Sequence, residues 1–306
     1  MAGAVGYVVC ERYRLVEVVG QGGMGRVWRA TDGVLGRDVA IKEIALPTGL
    51  SEHERAHYVT RMEKEARSAA RLSHPNVITV HDVVHEGGIP WIVMEFIAGE
   101  SLAGLLKRSG PLPWPQAVLI GAQVAQALTH AHERQIVHRD LKPDNVLLAG
   151  QRVVLTDFGI ARVLDETVRQ TSIGAVIGTP HYMSPEQIEG RPVGPATDLW
   201  SLGVLLYNAV EGTLPYSSPT ITALFAAILT QPVPPPRQAG PLAQVVIRLL
   251  TKSAEQRPRA AETADFLAGL GPGHSGPTPQ WPSGPTSVMG EPGWWSCTSR
   301  GPRVGS

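Results

Sequence analysis

The chain has 306 residues, 43% of them hydrophobic and 18% charged, with 27 basic against 27 acidic side chains. Such a length supports a sizeable buried core in one large or two modest domains. The charge balance excludes a bulk basic excess for wrapping nucleic acid or coating a membrane, leaving only a local patch open. Cys10 and Cys297 are the two cysteines, too few for a disulfide framework or a zinc cluster. Met1 to Tyr13 lacks the charged-then-apolar pattern of a secretory signal. No run approaches the roughly 18 apolar residues of a membrane helix, so the expected location is cytoplasmic.

In chain order, Tyr13–Val19 and Val27–Thr31 read as strands flanking a glycine cluster, and Asp38–Ile44 as a third. Ser51 to Leu72 has helical composition, opening on the polar His53, Glu54, Arg55 and His57. Ser73-His74-Pro75-Asn76 stops it. Val77–Val84 and Pro90–Phe96 read as two further strands around Gly87-Gly88. After Ile97-Ala98-Gly99 the pattern turns helical, at Leu102–Arg108, Gln116–Arg134, Asp198–Glu211, Ile221–Leu229, Leu242–Leu250 and Ala260–Leu270. From Gly271 to Ser306 glycine, proline and serine dominate, which predicts a disordered tail carrying Trp281, Trp294 and Trp295.

The glycine cluster is Gly20-Gln21-Gly22-Gly23-Met24-Gly25-Arg26-Val27. Missing side chains at Gly20, Gly22 and Gly25 let backbone amides approach a phosphate closely. A dinucleotide-binding reading fits poorly, because the chain returns as a strand rather than opening a helix. The lysine of a Walker loop is absent too. In Val39-Ala40-Ile41-Lys42, strand alternation turns Ala40 and Lys42 to one face, the first leaving room for a ring and the second reaching its phosphates. Further on, His138-Arg139-Asp140-Leu141-Lys142-Pro143-Asp144-Asn145 and Asp157-Phe158-Gly159 gather two carboxylates, a lysine and an amide. That set suits a metal-bound nucleotide held beside a hydroxyl.

On these motifs the chain resembles eukaryotic-type protein kinases of the serine/threonine branch. His181-Tyr182-Met183-Ser184-Pro185-Glu186-Gln187 and Gly22-Gly23-Met24-Gly25 are similar to bacterial, actinobacterial-type members. The resemblance implies an α+β, bilobal fold over residues 13–270. A five-stranded N-lobe with one main helix (about 13–95) would join a mainly helical C-lobe (about 100–270) through a hinge at 95–99. Residues 271–306 form the tail. Many such relatives continue into a membrane helix and an external sensor domain; with none in these residues, the expectation is a soluble kinase.

The resemblance also implies roles. Asp140 is the base or hydroxyl-orienting group, Lys142 the charge stabiliser, and Asn145 and Asp157 ligands of Mg²⁺, with Mn²⁺ as a substitute. ATP would lie under Gly20–Gly25, with Gln21, Gly23 and Met24 in the loop, its phosphates at Lys42 and that lysine fixed by Glu65. Glu63, two positions earlier, faces elsewhere on the helix. Met94 matches the gatekeeper, and the Glu95 carbonyl and Ile97 backbone the hinge bonds. Val27 and Ala40 would cover the base, with Leu147 below. His138 braces the loop, Phe158 packs between lobes, and Gly159 closes the metal motif. Arg139 would meet a phosphate on Thr171, or secondarily Thr167, added in trans within a transient homodimer. Thr179 would bond Asp140 or Lys142, Glu186 would pair with Arg257, and Asp198 would anchor the catalytic loop. Expected partners are proteins with serine or threonine acceptors. A nucleotide-binding scaffold and a small-molecule phosphotransferase are the alternatives; no nucleic acid or membrane span is expected.

Overall fold

The computed structural model describes residues 3–22, 25–46, 49–158 and 180–271. Gly23, Met24, Gly159, Thr167, Thr171, Thr179 and the tail beyond Gly271, with its three tryptophans, lie outside them.

The strands of the first lobe are β1 (Val8–Val9), β2 (Tyr13–Gly22), β3 (Gly25–Asp32), β4 (Arg37–Ile44), β5 (Val80–Glu86) and β6 (Ile89–Glu95). They make one sheet in the order β1-β2-β3-β4-β6-β5, with every pair antiparallel. Alternation sorts its faces. Tyr13, Leu15, Trp28, Ala30, Val39, Ile41, Trp91 and Val93 share one buried cluster. Ile44 and Ile92 instead meet Tyr58, Met62 and Ala66 of helix α1 (Glu52–Ala69). The helix begins at that polar stretch because Ser51 caps it: the Ser51 hydroxyl accepts from Glu54 N, and the Glu54 carboxylate accepts from Ser51 N at 2.8 Å.

The sheet has one strand more than the five expected. Val8 and Val9 pair with Arg14 and Tyr13. Tyr7 Oη and Cys10 N donate to the Glu86 carboxylate at 2.7 and 2.9 Å, tying this first edge strand to the opposite edge. Two residues carry too little alternation to read as a strand, and the ties holding them are long-range.

In the second lobe a small antiparallel sheet, β7 (Glu100–Ser101), β8 (Val146–Ala149) and β9 (Arg152–Leu155), lies beside helices α2 (Leu102–Ser109) and α3 (Trp114–Glu133). After it come α4 (Pro185–Ile188), α5 (Pro195–Glu211), α6 (Ile221–Thr230), α7 (Leu242–Leu249) and α8 (Ala260–Gly269). Helix α5 is buried nearly all round, from Thr197 to Val210, as a central core helix must be. The lobe's core joins α2, α3, α5, α7 and α8 to β8 and β9, and takes in Phe158. Among the described residues no helix is long and apolar enough to cross a membrane. The fold is bilobal, a curled sheet with one helix followed by a largely helical lobe.

Candidate active site

The loop that carries Asp140 hangs from one buried carboxylate. Asp198, near the start of α5, accepts from His138 N at 2.8 Å and Arg139 N at 2.7 Å, and from the His132 ring at 2.8 Å. Arg139 sits at φ 70, a costly conformation for a residue with a Cβ. Its N–H is held by Asp198, and its carbonyl accepts from Gln187 Nε2 at 3.2 Å. His138 is fully buried. Its Nε2–H donates to Thr156 O at 2.7 Å, leaving Nδ1 to accept from Asp140 N at 3.3 Å. The Phe158 ring lies 4.7 Å from the imidazole. The His138 ring thereby joins the loop carrying Asp140 to Thr156 and Phe158, the residues on either side of Asp157.

On that loop Lys142 Nζ donates to Asp140 Oδ2 at 2.7 Å, and Asn145 Nδ2 donates to the same oxygen at 3.2 Å and to Asp140 O at 2.7 Å. Both side-chain contacts fall on Oδ2, so Asp140 Oδ1 has no hydrogen-bond partner among the described residues. Burial works against the Lys142 ammonium, but the Asp140 carboxylate, then Asp144 and Asp157, hold its pKa above the ordinary value. Lys142 stays charged.

Across the cleft Lys42 is buried on β4, and its Nζ donates to Asp157 Oδ1 at 2.8 Å. Burial pushes the Asp157 carboxyl up, yet the lysine outweighs it and the net pKa is lowered. The expected Lys42–Glu65 pair is not formed in this structure. Asp157, at φ 63, turns its carboxylate onto Lys42, while Glu65 is half-buried on α1 with no hydrogen bond or ion pair among the described residues. Glu63 points away, as expected, to His85 and Arg67.

The residues expected around a base come together. Ala40, Met94 and Ile97 form a buried cluster with Ile78 and Val154, and Val27 and Leu147 pack against it. Sheet register explains part of this, since Ala40 faces Met94 and Val27 faces Lys42. Ile97 is buried, yet among the described residues its N–H and C=O enter no backbone hydrogen bond of a turn, loop or cap. Such a pair is what an adenine edge needs. Gly20 and Gln21 lie on β2 opposite Val27 and Arg26, and Gly22 faces Gly25 across the turn. Gly25 has φ 126, and a Cβ there would lie 1.9 Å from Glu43 O, so only glycine fits.

Below the loop, Arg257 grips Glu186 bidentately, Nη1 to Oε1 at 2.7 Å and Nη2 to Oε2 at 2.9 Å. The remaining Arg257 donors go to the carbonyls of Thr251, Ala196 and Lys252. Burial pushes Glu186 up, but the guanidinium, with Thr197 Oγ1 donating at 2.8 Å, brings its pKa down to about 2. Three residues of this scaffold escape sequence reasoning. His132 and Thr197 carry no local signal, and Gln187 shows itself only by adjoining Glu186 in a quoted motif.

The site is that of a two-lobed fold with a buried lysine on the sheet of one lobe and a carboxylate-bearing loop on the other. The chain matches the protein kinase domain family over residues 13–266. It belongs to that family, among the bacterial eukaryotic-like serine/threonine protein kinases. It is 38% identical over 274 residues to the serine/threonine-protein kinase pkn3 of Myxococcus xanthus, covering 84% of this chain and 49% of that one. Identity to the serine/threonine-protein kinase PknB of Mycobacterium leprae is 36% over 283 residues, 89% of this chain and 44% of the relative. For PknA of Mycobacterium tuberculosis it is 38% over 289 residues, 91% and 66%. The chain thus spans from 44% to 66% of these relatives' lengths.

Proposed function

We propose that the chain transfers the γ-phosphoryl group of ATP to serine or threonine hydroxyls of proteins. The observation that carries this reading is the half-used carboxylate of Asp140, whose Oδ2 is held by Lys142 and Asn145. Oδ1 is then the atom to which an acceptor hydroxyl donates, and Asp140 orients that hydroxyl and takes its proton. Lys142, next to it, offsets charge on the transferred group. Lys42 and the backbone amides of Gly20, Gly22 and Gly25 hold the phosphates. Val27, Ala40, Met94, Ile97 and Leu147 enclose the base, with the Glu95 and Ile97 backbones as its hinge partners. Positioning and electrostatics supply most of the catalysis, without a covalent intermediate.

Asn145 and Asp157 fit a hard divalent cation, magnesium before manganese. Asn145 spends its amide nitrogen on Asp140, which leaves its carbonyl oxygen as the atom that would hold the ion. Bound there, the ion would neutralise phosphate charge. Asp157 is now on Lys42; in the transfer-competent arrangement we assign Lys42 to Glu65, which leaves Asp157 to the metal.

Control is assigned to Thr171 first and Thr167 second, phosphorylated in trans within a transient homodimer and read by Arg139. The test uses γ-labelled ATP with magnesium, a serine/threonine peptide mixture, and the Asp140→Asn protein. We expect Asp140→Asn to bind ATP as the unmodified protein does and to lose about 10²–10⁴-fold in transfer. Undiminished transfer by Asp140→Asn overturns the reading. Label appearing on a tagged Asp140→Asn protein only when the active protein is mixed in supports the trans step. Label on the variant alone overturns it.

A further inference from the structure

Behind the hinge, one guanidinium joins three segments that are far apart in sequence. Arg152, the first residue of β9, donates from Nη1 to Glu95 Oε1 at 2.5 Å and from Nη2 to Glu95 Oε2 at 3.1 Å. Its Nε donates to Pro75 O at 2.5 Å, in the loop between α1 and β5. Glu95 ends β6 and opens the hinge, and its own N–H donates to Thr79 O at 2.9 Å.

The arginine is presented from a fixed base. Gln123 of α3 holds the residues on both sides of it, Nε2 donating to Gln151 O at 3.1 Å and Oε1 accepting from Val153 N at 2.9 Å. Asn76 Nδ2 donates to Val153 O at 2.8 Å and to Gln123 Oε1 at 2.7 Å. Leu155, at the far end of the same strand, donates to Asn76 O and accepts from Ile78 N. The hairpin, the loop after α1 and helix α3 are thus one bonded unit. Arg152 is the arm by which that unit reaches the hinge carboxylate. Burial pushes the Glu95 carboxyl up, but Arg152 outweighs it and the net pKa is lowered, so the pair is ionised at neutral pH.

We propose that Arg152 is a positioning residue for nucleotide, clamping Glu95 so that the hinge backbone is set for the adenine ring before it arrives. The inference rests on the nucleotide-site reading above. A planar bidentate fork fixes both the distance and the plane of the carboxylate, which a point charge would not do. The residue acts through Glu95 and contacts no reacting atom.

Titration of ATP with magnesium into the purified protein, beside steady-state kinetics and thermal melting, tests this. Arg152→Ala is expected to weaken ATP binding about fivefold and to raise KM for ATP in step, with kcat at saturating ATP within about twofold. Arg152→Gln keeps a donor for Pro75 O while losing the fork, and should show the same shift if Arg152→Ala does not fold. Arg152→Lys should fall between. A lowered Tm with ATP affinity unchanged in the folded variants marks a merely structural tie and overturns the proposal. Failure of the unmodified protein to bind ATP overturns the nucleotide reading itself, and this inference with it.

Discussion

The Glu186–Arg257 pair gives one residue-scale prediction. The pair is buried, with every Arg257 donor used. Removing the charge from Glu186 leaves a buried guanidinium short of its counter-ion, a loss of about 3–5 kcal/mol. Glu186 titrates near 2 in the fold against 4.5 ordinarily. Its stabilisation is therefore complete above the ordinary value and is lost as pH falls through the folded one. The melting-temperature gap between the unmodified protein and Glu186→Gln should be constant near neutrality and close between about pH 5 and 2. A gap independent of pH over that range contradicts the ion pair as its source. Glu65 gives another. If Lys42 passes to it during transfer, Glu65→Gln should lower kcat about tenfold or more while ATP still binds, since positioning is lost before affinity. Equal turnover in the variant would remove Glu65 from the mechanism.

At the scale of elements, the glycine loop and the cap of α1 are the exposed points. Gly25→Ala sets a Cβ against Glu43 O at a φ that side chains avoid. It should weaken ATP binding and lower the melting temperature together, whereas a variant that binds ATP normally would mean the β3 start is free to shift. Ser51→Ala removes the cap of α1, the one long helix among the described residues of the first lobe, and should cost about 1 kcal/mol in denaturant unfolding. Loss in both stability and turnover would show that the helix carrying Glu65 is coupled to the chemistry. The elements also mark where sequence stops being legible. The alternating apolar runs placed all five expected strands within about three residues of their ends. Strand β2 runs on to Gly22 because the glycines pair across the turn with β3, a role that strand propensity does not encode. Val77 and Ile78 look like the start of β5, but they bond across to Leu155 instead. Their apolar character serves a contact between lobes. The helix that opens at Pro195 was readable only from Asp198, since its first turn is proline-led and lacks an apolar repeat.

For the whole molecule, the site was legible where the motif residues act on their own backbone neighbourhood, as at Asp140, Lys142, Asn145 and Asp198. It was not legible where partners are chosen by tertiary approach. Lys42 could have met either carboxylate, and in the fold it is Asp157, 115 residues on, that lies within reach. The same holds for Arg152, an ordinary-looking arginine after a tight turn, which gains its role from the loop and hinge brought beside it. Balanced net charge fits a molecule whose electrostatics are spent in local pairs rather than in a broad field. The Lys42–Asp157 bond joins the sheet of the first lobe to the segment after β9, so the proposed transfer needs both lobes together. Phosphoryl transfer is the property that depends on all of them at once. The most direct measurement is intact-mass and phosphosite analysis of dephosphorylated protein incubated with ATP and magnesium, beside Asp157→Asn. The account predicts phosphate on serine or threonine residues of the unmodified protein alone, with Thr171 or Thr167 among them. Equal phosphate on the Asp157→Asn protein, or none on unmodified protein that binds ATP, would contradict it.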